Sequence, residues 1–171
     1  AAAETFFSKH SGYNFIVSRA VFEHLYNPIL ALSLMIESSA QGGVLIHKVD
    51  LRDHGLFSIN FHELKFLQPS KFIYKQMTKG SGRPNRVLLN QYVSFLEKSN
   101  LKFKIFITRL VGVGEIVPPM PWEKINKIEK GIAIDAVRSF RQYMSSEFSN
   151  VLDEDLAVSG FFMVVEKMEG E

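Results

Sequence analysis

Two polar clusters hold the side chains best suited to chemistry. One is Ser18-Arg19 followed by Glu23-His24; the other is His47 with Asp50-Leu51-Arg52-Asp53-His54. Imidazole exchanges a proton near neutral pH, so His24 fits a general base acting on a nucleophile's proton. The alternative is that Glu23 and His24 orient a turn or cap a helix. Asp53 suits a hydrogen bond to a substrate hydroxyl and His54 a proton relay, unless both only structure their loop. Arg52 can pair with Asp50 or Asp53, an ion pair of small worth if exposed. His47, Asp50, Asp53 and His54 are ligand types for zinc, iron or manganese. On a strand, however, His47 and Asp50 differ by an odd number of positions and point to opposite faces. No metal site is therefore expected.

The elements that must position these clusters lie between residues 13 and 54. Tyr13 to Val17 is dense in aromatic and β-branched residues, as in a strand buried on both faces. Asn27 can cap a helix whose first position is Pro28, where the missing N–H costs nothing. Ile29, Leu32, Met35 and Ile36 then recur at helical spacing. Gly42-Gly43 can end that helix, and Val44 to Val49 reads as the next strand. This is a β-α-β unit, which predicts parallel strands at about 13–18 and 43–50 with a right-handed crossover. Ligands bind beyond the carboxyl ends of strands in open parallel sheets. Both clusters fall at or just past those ends.

The stretch also resembles a family. GYNFIVSRAVFEHLYNPILAL and GGVLIHKVDLRDH are similar to the "xFDxIxSxxxxEHxxDPxxxL" and "GGxLxHxVDLRDH" runs of class I S-adenosylmethionine-dependent methyltransferases. PNRVLLNQYVSFLEKSNLKF resembles their "NRLRxxxYxxLxxxAGF" stretch, and DEDLAVSGFFMVVEK their closing antiparallel strand. The four pieces stand in family order over most of the chain. The resemblance implies a Rossmann-like α/β sheet that begins at the fourth strand, so that the chain is the C-terminal half. No GxGxxG occurs, and Gly112-Val113-Gly114 lacks a following glycine. Such a half should bind the cofactor, S-adenosylmethionine, poorly alone. The family pattern further implies that Ser18, Arg19 and Ala20 contact the methionine part of the cofactor. Glu4, in an "AE" pair, would lie near its adenine. Asn85 and Arg86 match the "NR" before a substrate-side helix, and Arg86 offers a planar fork for carboxylate or phosphate. Arg86 can equally tie its loop to Asp53 or to a helix end. The activity implied is methyl transfer to a small molecule, preferably at a hydroxyl of a sugar or similar metabolite. The alternative is a non-catalytic, degenerate module that binds a partner chain.

Residues 1–171 read as one partial domain. Residues 55–86 form a substrate-side lid with short helices near 60–67 and 70–78; its flexible, basic loop KGSGRPNR can close over a polar or anionic substrate or stay solvated. Val87 to Ser99 predicts a helix capped by Asn100, with Tyr92 in the core. Residues 101–111 and 159–167 predict the antiparallel C-terminal strand pair. Between them, Pro118, Pro119 and Pro121 argue against any element over 112–121. Residues 122–151 read as a helical insertion with a break near Gly131 and Trp122 in the core. Asp153-Glu154-Asp155 reads as a turn.

Composition narrows the class. With 46% hydrophobic residues and 15 Phe in 171, the chain is globular rather than disordered. A net charge of +2 and scattered Lys and Arg argue against nucleic acid as a partner. No apolar run approaches the roughly 20 residues of a membrane span, and no signal peptide is apparent. The absence of Cys excludes disulfides and thiolate metal sites and fits a cytoplasmic address. A sheet cut beside its fourth strand would expose an apolar edge, which predicts self-association or pairing with the missing N-terminal half.

Overall fold

The computed structural model describes residues 3–53, 62–80, 84–99 and 101–168. A short helix α1 (Ala3–Phe7) precedes β1 (Tyr13–Arg19), α2 (Pro28–Ser38) and β2 (Ser39–Asp50). Asn27 caps α2 as expected, its Oδ1 accepting the Leu30 N–H at 3.1 Å, with Pro28 in the first turn. β1 and β2 are parallel, with Ser18 opposite His47. The β-α-β expectation holds. The helix end does not lie at Gly42-Gly43, because the chain enters β2 directly at Ser39. The Ser38 and Ser39 hydroxyls donate to the carbonyls of Met35 (2.9 Å) and Ile36 (2.7 Å), closing the helix without a glycine. Gly43 lies inside β2, where a Cβ would sit 2.8 Å from the Ala40 carbonyl oxygen.

The chain continues through α3 (Lys71–Thr78), α4 (Leu89–Lys98), β3 (Lys102–Leu110), β4 (Gly114–Met120), α5 (Lys127–Arg141), α6 (Asp153–Ala157) and β5 (Val158–Glu166). The five strands stand in the order β1-β2-β5-β3-β4. β5 runs antiparallel to both β2 and β3, which is the predicted C-terminal pair with β2 added on its far side.

Residues 112–121 depart from expectation. They supply β4, antiparallel to β3 and at the sheet edge. An edge strand has one neighbour, so Pro118 and Pro119 can be accommodated without breaking a ladder on the outer side. α5 passes through Gly131 unbroken and ends at Arg141, with only 3-10 turns at Trp122–Lys124 and Ser146–Phe148 flanking it. Asp153-Glu154-Asp155 is the first turn of α6, where carboxylates suit the helix dipole. Near 60–67 the described residues hold a 3-10 turn at Lys65–Leu67 rather than a helix. Asn100 lies outside the described residues; the Ser99 N–H closes α4 instead.

The core fills one face of the sheet. Ile16, Leu45, Val49, Phe161 and Met163 are buried there with Leu32 and Met35 of α2 and Tyr92 and Leu96 of α4. The Tyr92 ring meets Phe161 edge-on at 5.5 Å and Phe22 at 6.0 Å. Trp122 is half-buried against the core, with the Lys130 ammonium 5.2 Å from its ring centre. Along the other face, Phe15 and Val17 of β1 are about three-fifths exposed, and Val44, Ile46, Phe162 and Val164 are half-buried. Among the described residues, no helix is long and apolar enough to cross a membrane.

Candidate functional site

The parallel register brings together two residues that are 29 apart in the chain. Ser18 Oγ and His47 Nδ1 stand 2.8 Å apart at the carboxyl ends of β1 and β2. His47 is fully buried, with its ring 4.6 Å from that of Phe22. Burial disfavours the imidazolium and pulls its pKa down to about 4, so the ring is neutral at physiological pH. His47 and Asp50 do face opposite sides of the sheet. Asp50 is half-buried and pairs with Arg52, whose Nε donates to Oδ1 at 2.8 Å. Among the described residues, no group of three His, Asp or Glu side chains is placed to hold a metal.

Beyond Ser18, Arg19 and Ala20 are exposed at the strand end. Ala20 takes a left-handed conformation (φ 54°), held by its N–H donating to the Lys48 carbonyl at 3.0 Å. The chain then winds through a 3-10 turn, Phe22–His24, that buries Phe22 and Glu23 and leaves His24 outside. His24 lines the mouth of a cavity of about 740 Å³ between this turn, α3 and the start of α4.

Asn85 and Arg86 build that cavity from its back. Asn85 Nδ2 donates to the carbonyls of Phe22 (2.7 Å) and Leu25 (3.0 Å), and its Oδ1 accepts the Val87 N–H at 3.1 Å. Asn85 thus clamps the loop before α4 onto the turn that carries His24. The Arg86 guanidinium lies between the rings of Tyr74 (4.5 Å) and Phe148 (4.7 Å). It donates to Glu147 Oε1 and to the Pro69 carbonyl, each at 2.7 Å. Arg86 therefore ties its loop to α3 and the 146–148 turn, not to Asp53. Burial lowers its pKa, though the guanidinium stays charged.

The structure thus gathers Ser18, Arg19, Ala20, His24, Asn85 and Arg86 along one edge of the fold. Asp53 is not among them: it is fully buried, its N–H donating to the Glu63 carbonyl at 3.0 Å, and it does not line the cavity. His54 lies outside the described residues. Glu4 belongs to α1, and its side chain is likewise outside the description. Sequence reasoning missed Lys71 and Lys75, which also line the cavity, beside Lys79 at the start of the basic KGSGRPNR loop. Their four-residue spacing within a predicted helix was the available signal.

No protein-family model matches the sequence, and no curated protein matches it. Solved structures do resemble the fold. A protein assigned as a sarcosine dimethylglycine methyltransferase from Galdieria sulphuraria matches with a TM-score of 0.50 and 14% identity over 100% of this chain and 58% of that one. A SAM-dependent methyltransferase from Archaeoglobus fulgidus gives 0.47 and 12% over 98% of this chain and 66% of its own. A protein from Bacillus halodurans assigned as a methyltransferase gives 0.43 and 13% over 98% and 76%. The chain thus spans 58% of the Galdieria protein and 66% of the Archaeoglobus one. At such identities the likeness speaks for the fold alone, a Rossmann-like α/β fold similar to that of the Galdieria protein.

Proposed function

We propose that this chain carries the acceptor side of an S-adenosylmethionine-dependent methyltransferase acting on a hydroxyl group of a small molecule. One observation carries the reading: the exposed end of β1 at Arg19-Ala20 leads within one short turn to His24 on the rim of a cavity of about 740 Å³. A pocket of that size suits a small-molecule ligand. When bound, the cofactor supplies an electrophilic methyl group. Arg19 is an exposed cation suited to the methionine carboxylate, while Ser18, anchored on His47, and Ala20 shape the turn beneath it. Glu4 would stand toward the adenine. His24 would take the hydroxyl proton as the new bond forms, and the cavity would hold acceptor and methyl at attack distance. His54 keeps the supporting role of proton relay, while Asp53, buried away from the cavity, keeps no part in substrate contact. In this reading residues 55–86, with α3, form a lid, and residues 122–151, with α5, an insertion of the same domain. A Cys-free chain fits a cytoplasmic setting.

Calorimetry with S-adenosylmethionine and S-adenosylhomocysteine tests the cofactor, and label transfer to a panel of hydroxylated metabolites tests the reaction. His24→Gln should lower transfer by roughly 10²–10⁴-fold and leave the unfolding midpoint unchanged, because His24 is exposed. Because a chain that carries the acceptor side should bind the cofactor poorly alone, the calorimetry includes any longer parent chain; absence of cofactor binding by both, or an undiminished rate in His24→Gln, would sink the proposal.

The uncovered apolar face favours a second reading, a non-catalytic module that pairs with a second copy of itself along β1. Phe15 and Val17 are 60% and 59% exposed on an edge strand, and such an edge invites pairing. Light scattering distinguishes the two: a dimer that Val17→Lys dissociates supports this reading, and a monomer at all concentrations rejects it.

A further inference from the structure

We infer that the cavity beside His24 selects an organic anion, a carboxylate or phosphate with an apolar body. The inference deepens the proposed reading, because it rests on that cavity being the acceptor site. Lys71 and Lys75 lie four residues apart on one face of α3 and line the cavity together with Lys79, which follows the helix end. No acidic residue occurs in α3 to offset them. Like charges at this spacing repel one another unless an anion lies among them. Among the described lining residues the carboxylate is Glu147, and Arg86 already engages it at 2.7 Å. Among the described residues, the lysines therefore face the cavity without a carboxylate of its wall to neutralise them.

The rest of the wall is aromatic and aliphatic. Tyr74 and Phe148 close on the Arg86 guanidinium from its two sides, and Tyr26, 84% exposed, stands at the mouth with Leu25 behind it. An apolar body can lie against these rings while its charged end meets the lysines. α3 is held to the body of the protein chiefly by Tyr74, its one buried residue, whose hydroxyl donates to the Pro84 carbonyl at 2.7 Å. With so slight an anchor, the lysine row can settle onto an anion without breaking a packed core.

The test is an amide chemical-shift titration of the full chain with 2-naphthoate and its neutral analogue 2-naphthylmethanol, at low and high salt. The inference expects naphthoate to shift the Tyr26, Asn90 and Lys71–Lys79 amides. It expects affinity at least about tenfold above that of the alcohol and falling with salt, as for partly exposed charges. The combined variant Lys71→Glu, Lys75→Glu, Lys79→Glu should lose that preference while keeping the wild-type unfolding midpoint. Equal binding of acid and alcohol, no binding of either, shifts elsewhere, or naphthoate affinity untouched by the variant would each overturn it. Cofactor calorimetry on the same samples separates the two proposals. Naphthoate binding, with no cofactor binding by this chain or by a longer parent chain, keeps the anion site and removes methyl transfer; cofactor binding without naphthoate binding does the reverse.

Discussion

Replacing Asn85 by Ala removes three hydrogen bonds at once: two from Nδ2, to Phe22 and Leu25, and one to Oδ1 from Val87. The Phe22 carbonyl keeps the Leu25 N–H at 3.3 Å, and the Asn85 N–H still reaches the Glu23 carbonyl. The loss therefore falls mainly on the Leu25 carbonyl and the Val87 N–H, both part-buried. At about 1 kcal/mol net per bond, with more for a group left unsatisfied, the cost is roughly 2–4 kcal/mol. With a urea slope of about 2 kcal/mol per molar, the unfolding midpoint should fall by about 1–2 M. Asn85→Asp keeps the shape but sets a carboxylate oxygen against two carbonyls, and should destabilise at least as much. Both follow from the clamp between the loop before α4 and the turn carrying His24. A midpoint shift below about 0.3 M in Asn85→Ala, with ligand affinity lost, would refute the clamp. It would return Asn85 to the substrate-contact role that the sequence resemblance implies.

Two further perturbations probe the frame of the site. His47 is held neutral, its pKa pulled from the ordinary 6.5 to about 4 by burial. The unfolded chain then binds the proton more readily, so stability is complete above about pH 6.5 and declines as pH falls toward 4. Linkage puts the loss at about 2 kcal/mol between about pH 7 and pH 5; His47→Gln should remove this share of the slope, as urea midpoints at the two pH values would reveal. A slope unchanged in that variant would refute the assignment. Gly160→Ala should cost about 1–3 kcal/mol, because a Cβ there meets Thr108 Oγ1 at 2.8 Å and Arg109 Cβ at 3.3 Å. Adding Thr108→Ala should recover part of that loss in a thermal melt, and independent, additive effects would show that the close approach is not the cause.

Local chemistry in the sequence determined the β1-α2-β2 unit, since Asn27-Pro28 starts a helix wherever it lies ahead of an apolar periodicity. It also marked α4 and the strands β3 and β5, whose apolar patterns are long enough to read alone. Tertiary structure decided the rest. The prolines of β4 are tolerated only because that strand lies at an edge, and an edge is a property of the sheet, not of the segment. Ser38 and Ser39, rather than Gly42-Gly43, end α2, because hydroxyls reaching back to carbonyls give no periodic signal. Which site residues are available was decided by packing as well: Asp53 was sealed in the core, and Asn85 was spent on carbonyls about 60 residues away. Sequence spacing shows which side chains can share an element, but parallel register set Ser18 beside His47, and only the folded sheet closes such a distance.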